Sequence, residues 1–393
     1  MSRPPTPATS SPPARPIALD STGPGDALPD GAEGLALVKA GVRAQAAYTL
    51  RAPAARRKLN QNECPYDVPA HLKQIALDRA AAASWQRYPE FAPTRLVERL
   101  AVHYGWVPEG IVVGNGSNEL IQATLSVVLG QGDAVIAPSP TFSLYRLITG
   151  VLGGRYVPVP LGPGFEFDVD RLVEAAVRER ARVVVLNSPN NPTGSALPAS
   201  AVERIVSDTG ALVLCDEAYQ DFGGPTAIPL LRHTSRVVVL RTFSKAMGMA
   251  GLRFGLAMAH PEVARELAKG KLPYNVNLAT LAAADVALEH AALFAGRTRE
   301  VTATRDRFLP RLVRVPGLDV FPTEANFVLI RCRARPASEV FRRLYDEHGI
   351  LVRDVSGSAE LADCLRISIG TEDDMEAVLA ALHQIVGSGS EAG

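Results

Sequence analysis

Between about residues 110 and 260 the chain alternates short β-branched apolar runs with helix-length segments, and this alternation limits the possible folds more than any other feature. Ile111–Gly114, Ala134–Ala137, Arg155–Val159, Val183–Asn187, Ala211–Asp216, Val237–Arg241 and Phe254–Ala259 read as strands. Asn118–Leu129, Phe142–Leu152, Val169–Arg180 and Ala199–Asp208 read as helices between them. Strands that are apolar at nearly every position are buried on both faces, and helical crossovers are what connect parallel strands. The expected fold class is α/β, with a mostly parallel sheet covered on both sides. In such sheets ligands bind beyond the carboxyl ends of the strands.

Downstream the pattern changes. Helices rich in Ala, Leu and Arg are expected from about Ala279 to Leu312. They are followed by strands at Leu318–Phe321 and Ala325–Cys332, a helix at Ala337–His348, strands at Ile350–Val355 and Cys364–Ser368, and a last helix from Asp373. This reads as a large domain over residues 101–278 and a smaller α+β domain over 279–393, which the segment 41–100 joins. Residues 1–40 are rich in Pro, Gly, Ser and Ala and contain no apolar signal-peptide core. They are expected to form a disordered tail rather than a secretory leader.

Lys+Arg and Asp+Glu number 41 each, so no net field draws the protein to nucleic acid or anionic lipid. No apolar stretch is long enough to span a bilayer. The four cysteines form no CxxC, and the seven histidines match no metal spacing. A reduced, cytoplasmic protein without a metal is expected, with small molecules as its partners.

Four polar groups stand at the ends of expected strands. Gly114-Asn115-Gly116-Ser117-Asn118-Glu119 marks a strand-to-helix turn, where glycines and a helix N-terminus make an anion site or simply a capped turn. It is not GxGxxG, since Glu119 holds the third glycine position, which argues against a dinucleotide-binding module. Asn187-Ser188-Pro189-Asn190-Asn191-Pro192-Thr193-Gly194 follows a buried strand, and its composition also suits an ordinary loop. Asp216-Glu217-Ala218-Tyr219 ends the run Ala211–Cys215. A carboxylate there is costly unless something cationic compensates it, the bland alternative being a cap or a surface ion pair. Thr242-Phe243-Ser244-Lys245 ends another strand, with Gly251-Leu252-Arg253 close behind. Together these supply what pyridoxal 5′-phosphate (PLP) requires: an amine for its aldehyde, a carboxylate for its ring nitrogen, donors for its phenolate oxygen and a cationic cup for its phosphate.

The strings SPNNPTG, DEAY, TFSK and AGLRFG, in this order, resemble the fold-type I PLP-dependent aminotransferases. LNQNECPYDVP, RYPE, GNGSNELI, SPTFSLY, EANFVLI, ILVRDV and CLRISIGT resemble, more narrowly, the histidinol-phosphate aminotransferases. The resemblance spans about residues 45–385. It implies that Lys245 carries the cofactor and moves the substrate proton, that Asp216 pairs with the ring nitrogen, and that Tyr219 and Asn191 bond the phenolate oxygen. Phe142 would stack on the ring. Ser117, Asn118, Thr242, Ser244 and Arg253 would surround the phosphate, and Tyr88 would reach it from the other subunit of a homodimer with shared active sites. Arg366 would grip carboxylates, Arg353 the phosphate of the amino donor, and Asn62 would also contact substrate. Asn118 departs from the Asp of many members, and Phe142 stands where some carry Tyr.

The implied reaction is amino transfer from L-histidinol phosphate to 2-oxoglutarate, in histidine biosynthesis. Aromatic amino-acid transamination and threonine-phosphate decarboxylation are alternatives on the same fold. A ligand-sensing regulator would need a basic helix-turn-helix module, for which the tail is too short and too neutral. For Arg353 the bland alternative is a surface pair with Asp354.

Overall fold

The computed structural model describes residues 31–47 and 53–387. The chain divides into a unit ending at Ala44 and a unit from Gln45 to Gly393. In the first, Ala32–Ala36 and Ala40–Arg43 are short helices with no buried residue. They correct part of the expectation of disorder over residues 1–40; residues 1–30 lie outside the described residues. Ala and Leu favour the helix, and Glu33 sits in a first turn where the helix dipole attracts negative charge.

In the second unit a short β1 (Arg57–Lys58) precedes the large sheet. The large sheet's strands are β2 (Ile111–Gly114), β3 (Ala134–Ser139), β4 (Arg155–Pro160), β5 (Val183–Asn187), β6 (Leu212–Asp216), β7 (Val237–Thr242) and β8 (Gly255–Ala259). Their order is β2-β8-β7-β6-β5-β3-β4. All pairings are parallel except those of β8, which runs antiparallel to β2 and to β7. Helices at Leu144–Leu152, Val169–Arg178 and Ala199–Asp208 carry the chain between parallel strands. Only residues 243–254 join β7 to β8, and an antiparallel neighbour needs no crossover helix. β8 starts at Gly255 rather than Phe254, two residues after Arg253, which adopts a left-handed backbone (φ 58°).

Alternate residues of the strands enter two separate cores. Val183, Val185, Leu214, Val238 and Leu240 pack with Leu120, Ile121, Leu125 and Tyr145 of the helices Ser117–Val128 and Leu144–Leu152. Val184, Leu186, Val213, Cys215, Val237 and Val239 pack on the opposite face. That second core also takes Leu72, Leu96 and Leu100 from helices Ala70–Ala82 and Thr94–Tyr104, and Ala283, Ala284 and Ala287 from helix Leu278–Glu289. Residues 70–104 and 278–289 therefore pack with the large sheet, whereas the sequence reading grouped 41–100 and 279–393 with the small domain.

The remaining strands are β9 (Leu318–Val320), β10 (Phe327–Cys332), β11 (Ile350–Leu351), β12 (Arg353–Asp354) and β13 (Cys364–Ser368). Four form an antiparallel sheet in the order β12-β13-β10-β9. The single strand expected over Ile350–Val355 is split at Val352. β11 pairs in parallel with β1, while β12 turns to β13 and sets Arg353 directly opposite Arg366. No single helix among the described residues is long and apolar enough to cross a membrane.

Candidate active site

A cavity of about 680 Å³ collects the residues that end three parallel strands: Asn187 of β5, Asp216 of β6 and Thr242 of β7. Its volume falls in the range of roughly 300–1,000 Å³ usual for small-molecule sites. Ser117, Asn118, Phe142, Asn191, Tyr219, Ser244, Lys245 and Arg253 also line it. Arg353 and Arg366 come from the small sheet and Asn62 from the segment after β1. Tyr88 is the exception. It is 79% exposed and stacks on Tyr274, with ring centroids 4.5 Å apart, and does not line this cavity.

Backbone proximity shapes the anion cup. Gly255 lies beside both Gly114 and Thr242, so the turn after β2 and the turn after β7 meet across one residue. A Cβ on Gly255 would come within 2.7 Å of the Gly116 carbonyl carbon. Gly116 (φ 82°) caps the helix Ser117–Val128, and a Cβ there would stand 3.0 Å from Arg253 Cζ. Only glycine fits at either position without displacing the cup. Arg253 Nη1 donates to Ser244 Oγ at 3.1 Å, and Thr242 Oγ1 donates to the same oxygen at 3.0 Å. A helix N-terminus, a guanidinium and two hydroxyls make a site for a phosphate-sized anion. Glu119 braces the turn, accepting from Asn115 N at 2.6 Å and from Asn275 Nδ2 at 2.7 Å.

Asp216 is 3% exposed, and burial raises its carboxyl pKa against the lowering effect of its hydrogen bonds. Tyr145 OH donates to Oδ2 at 2.7 Å and Ala218 N to Oδ1 at 3.2 Å. Lys245 Nζ donates to Gln61 O at 2.8 Å and lies 5.6 Å from the Tyr219 ring centroid. The Lys245 side chain keeps partial access to the cavity, yet desolvation, helped by the Arg366 guanidinium, lowers its pKa to about 7. Such an amine is partly neutral at physiological pH and can act as nucleophile and base.

Hydrogen bonds run from the Asp216 backbone carbonyl to the opposite wall. Asn187 Nδ2 donates to Asp216 O at 3.0 Å, and Asn187 Oδ1 accepts from Asn191 N at 2.8 Å. Asn191 Oδ1 accepts from Arg366 Nη1, whose Nη2 donates to Asn60 O at 2.7 Å. Asn62 Nδ2 donates to Tyr219 OH at 3.1 Å. Arg353 is half-buried, and no acidic side chain pairs with it among the described residues. The pair with Asp354 does not form, because Asp354 Oδ1 accepts from Ser356 N at 2.9 Å and from Ser356 Oγ at 2.5 Å.

The sequence reading missed Tyr145, the Gln61 and Asn60 carbonyls, Asn187 as a connector, and Asp354 as a cavity residue. Tyr145 was within reach. It stands three residues after Phe142 in the expected helix Phe142–Leu152, the spacing that sets two side chains on one face of a helix. The carbonyl partners were not, since any residue carries one.

A family model described as aminotransferase class I and II matches residues 57–382. The histidinol-phosphate aminotransferase of Chlorobaculum tepidum is 38% identical over 84% of this chain and 94% of its own length. Histidinol-phosphate aminotransferase 2 of Nitrosococcus oceani is 38% identical over 86% of this chain and 93% of its own. The crystal structure of histidinol-phosphate aminotransferase from Sinorhizobium meliloti, in complex with pyridoxal-5′-phosphate, superposes with a TM-score of 0.78 at 30% identity. That match covers 85% of this chain and 92% of the other. The chain belongs to the class I and II aminotransferases and is an enzyme of that family, alongside relatives that carry the name histidinol-phosphate aminotransferase.

Proposed function

We propose that the enzyme binds PLP and transfers the amino group of L-histidinol phosphate to 2-oxoglutarate, giving imidazole acetol phosphate and glutamate for histidine biosynthesis. The donor set fits the cofactor. The buried Asp216 carboxylate calls for a cationic partner such as a protonated ring nitrogen, and the Lys245 amine is partly neutral near pH 7. Ser117, Asn118, Thr242, Ser244 and Arg253 would hold the phosphate, Phe142 would cover the ring, and Tyr219 and Asn191 would bond its phenolate oxygen. When bound, the cofactor takes the amino group from the donor and withdraws the electrons left at the donor carbon. Lys245 Nζ would remove the Cα proton of the donor and return it on the cofactor side. Asp216 would hold the ring nitrogen protonated throughout.

One observation carries the choice of donor. Arg353 lines the cavity wall without an acidic partner among the described residues, directly opposite Arg366 across β12 and β13. A planar, permanently charged fork beside a second arginine suits a phosphate at the far end of the substrate and a carboxylate in the acceptor half-reaction. The test is the ratio of kcat/KM for histidinol phosphate to that for phenylalanine. Arg353→Ala should lower that ratio by roughly 30-fold or more, the size of a lost charged contact. An unchanged ratio removes Arg353 from the phosphate site. A wild-type ratio below one makes the enzyme an aromatic aminotransferase.

We propose further that the enzyme is a cytoplasmic homodimer with shared sites, Tyr88 of each subunit reaching the phosphate held by the other. Trp85, Tyr88, Phe91 and Leu272 are all exposed in the single chain, and the rings of Tyr88 and Phe91 both meet Tyr274; clustered exposed apolar side chains mark interfaces. Mixing Tyr88→Phe chains with Lys245→Ala chains should restore activity through one intact site per heterodimer. A monomeric active enzyme, or mixing that restores nothing, overturns this.

A further inference from the structure

The Asp216 carboxylate does not stand alone behind the cavity. Its Oδ2 accepts from the hydroxyl of Tyr145, a fully buried side chain in the first turn of helix Leu144–Leu152. The edge of the same ring meets Phe142, with centroids 5.7 Å apart and planes at 90°. One side chain thus backs both the residue proposed for the ring nitrogen and the residue proposed for the ring face. A buried carboxylate without donors takes up a proton, and a buried hydroxyl without a partner is costly, so each group answers the other's need.

We infer that Tyr145 is a positioning residue of the reaction, whose hydroxyl fixes the orientation of the Asp216 carboxylate and keeps it ionised to receive the cofactor's ring nitrogen. This rests on the PLP assignment above. The other titratable groups around the pair are Lys245, Tyr219, Tyr156 and, on the strand of Asp216 itself, Cys215. Burial pushes the Tyr145 hydroxyl and the Cys215 thiol well up and the Tyr156 hydroxyl up to about 12, so none of the three ionises near neutrality. Tyr145 is then a neutral donor at every working pH. Lys245 is the cation whose charge acts on Asp216, and Tyr145→Phe removes no charge from the site.

The experiment measures PLP affinity of the apoprotein by fluorescence titration across a pH series. Wild type, Tyr145→Phe, Asp216→Asn and the double variant are compared. Tyr145→Phe keeps the ring on Phe142 and removes only the hydroxyl. At the acid end it should bind PLP about ten- to a hundredfold more weakly than wild type, the size of a lost hydrogen bond to a charged group. The deficit should shrink as pH rises and Asp216 ionises without help. In the Asp216→Asn background the same substitution should change affinity little and without pH dependence. A deficit of one size at every pH, or an equal deficit in the Asn background, overturns the inference. Should Tyr145→Phe fold poorly, carbon-13 carboxyl NMR of wild-type apoprotein, assigned by difference with Asp216→Asn, gives the same decision. Asp216 should be ionised at about pH 7, and a protonated Asp216 overturns the inference. If Asp216→Asn alone binds PLP as tightly as wild type, the cofactor assignment fails and takes this inference with it.

Discussion

Asp216, Ser244 and Arg253, on the large-sheet side of the cavity, are held by partners close by in the fold, whereas Arg353, on the small-sheet side, reaches the cavity without an ion pair among the described residues. The first side is wired in advance. Its side chains rise from the ends of strands buried on both faces, and even the residue beside Asp216 is locked: Glu217 pairs with Arg241 at 2.9 Å, the two being 3% and 4% exposed. The second side is a short, half-buried β12 at a sheet edge, with a cation that no acidic side chain pairs among the described residues. The contrast matches the demands of two kinds of ligand. A resident group rewards preorganised dipoles that need no rearrangement, while exchanging substrates need a charge left open for them.

If that division is right, substitutions on the large-sheet side should cost the same factor for every amino donor, and only small-sheet substitutions should discriminate. Lys245→Ala should give the largest loss, on the order of 10⁴-fold in kcat for histidinol phosphate and phenylalanine alike. Borohydride reduction of the wild-type holoenzyme should place the label on Lys245; label elsewhere, or a donor-dependent loss, breaks the comparison. Asp216→Asn should cost on the order of 10²–10³ in kcat, again for both donors, since an amide cannot hold the ring nitrogen protonated. A variant within about threefold of wild type would misplace the carboxylate.

The smallest effect sharpens the comparison through stability. Desolvation depresses the Lys245 pKa from 10.5 in the unfolded chain to about 7 in the folded apoprotein. Stability from this group is therefore fully present above pH 10.5 and is lost as pH falls to about 7. Lys245→Met should stabilise the apoprotein near pH 7 by on the order of 1–3 kcal/mol, discounted for the lysine's partial access to the cavity. The gain should fade as pH climbs towards 10.5. Urea melts of both proteins at neutral and alkaline pH measure it, and a gain that does not change with pH would mean that the amine is not desolvated.

Legibility in the sequence followed the same division. The large sheet announced itself because strands buried on both faces are apolar throughout, and its site residues come in contiguous strings such as Thr242–Lys245. What the strings did not tell was which way β8 runs, although the short link from Phe243 to Phe254 held the reason. The small half was harder. Nothing local in Ile350–Asp354 reveals that Ile350 and Leu351 pair with one partner and Arg353 with another, because that switch is imposed by β1 and β13, far away in the chain. The same applies to residues 70–104, whose leucines say that the helices are buried but not against which sheet. Tyr145 was readable by helical spacing from Phe142. The acceptor of Lys245 was not, since Gln61 offers its backbone.

The pairing of β1 with β11 has a consequence for biosynthesis. On a ribosome adding about 5–20 residues per second, Arg57 and Lys58 wait on the order of 15–60 s before Ile350 and Leu351 are made. By the end of that interval every motif of the large sheet has emerged, yet the arm that carries Asn60, Gln61 and Asn62 still has no strand to join. A nascent chain interrupted before Ile350 would carry Lys245 and Asp216 in their sheet yet lack the docking that brings Gln61 to the lysine. The last of the cavity's walls to be translated thus sets when its first one closes.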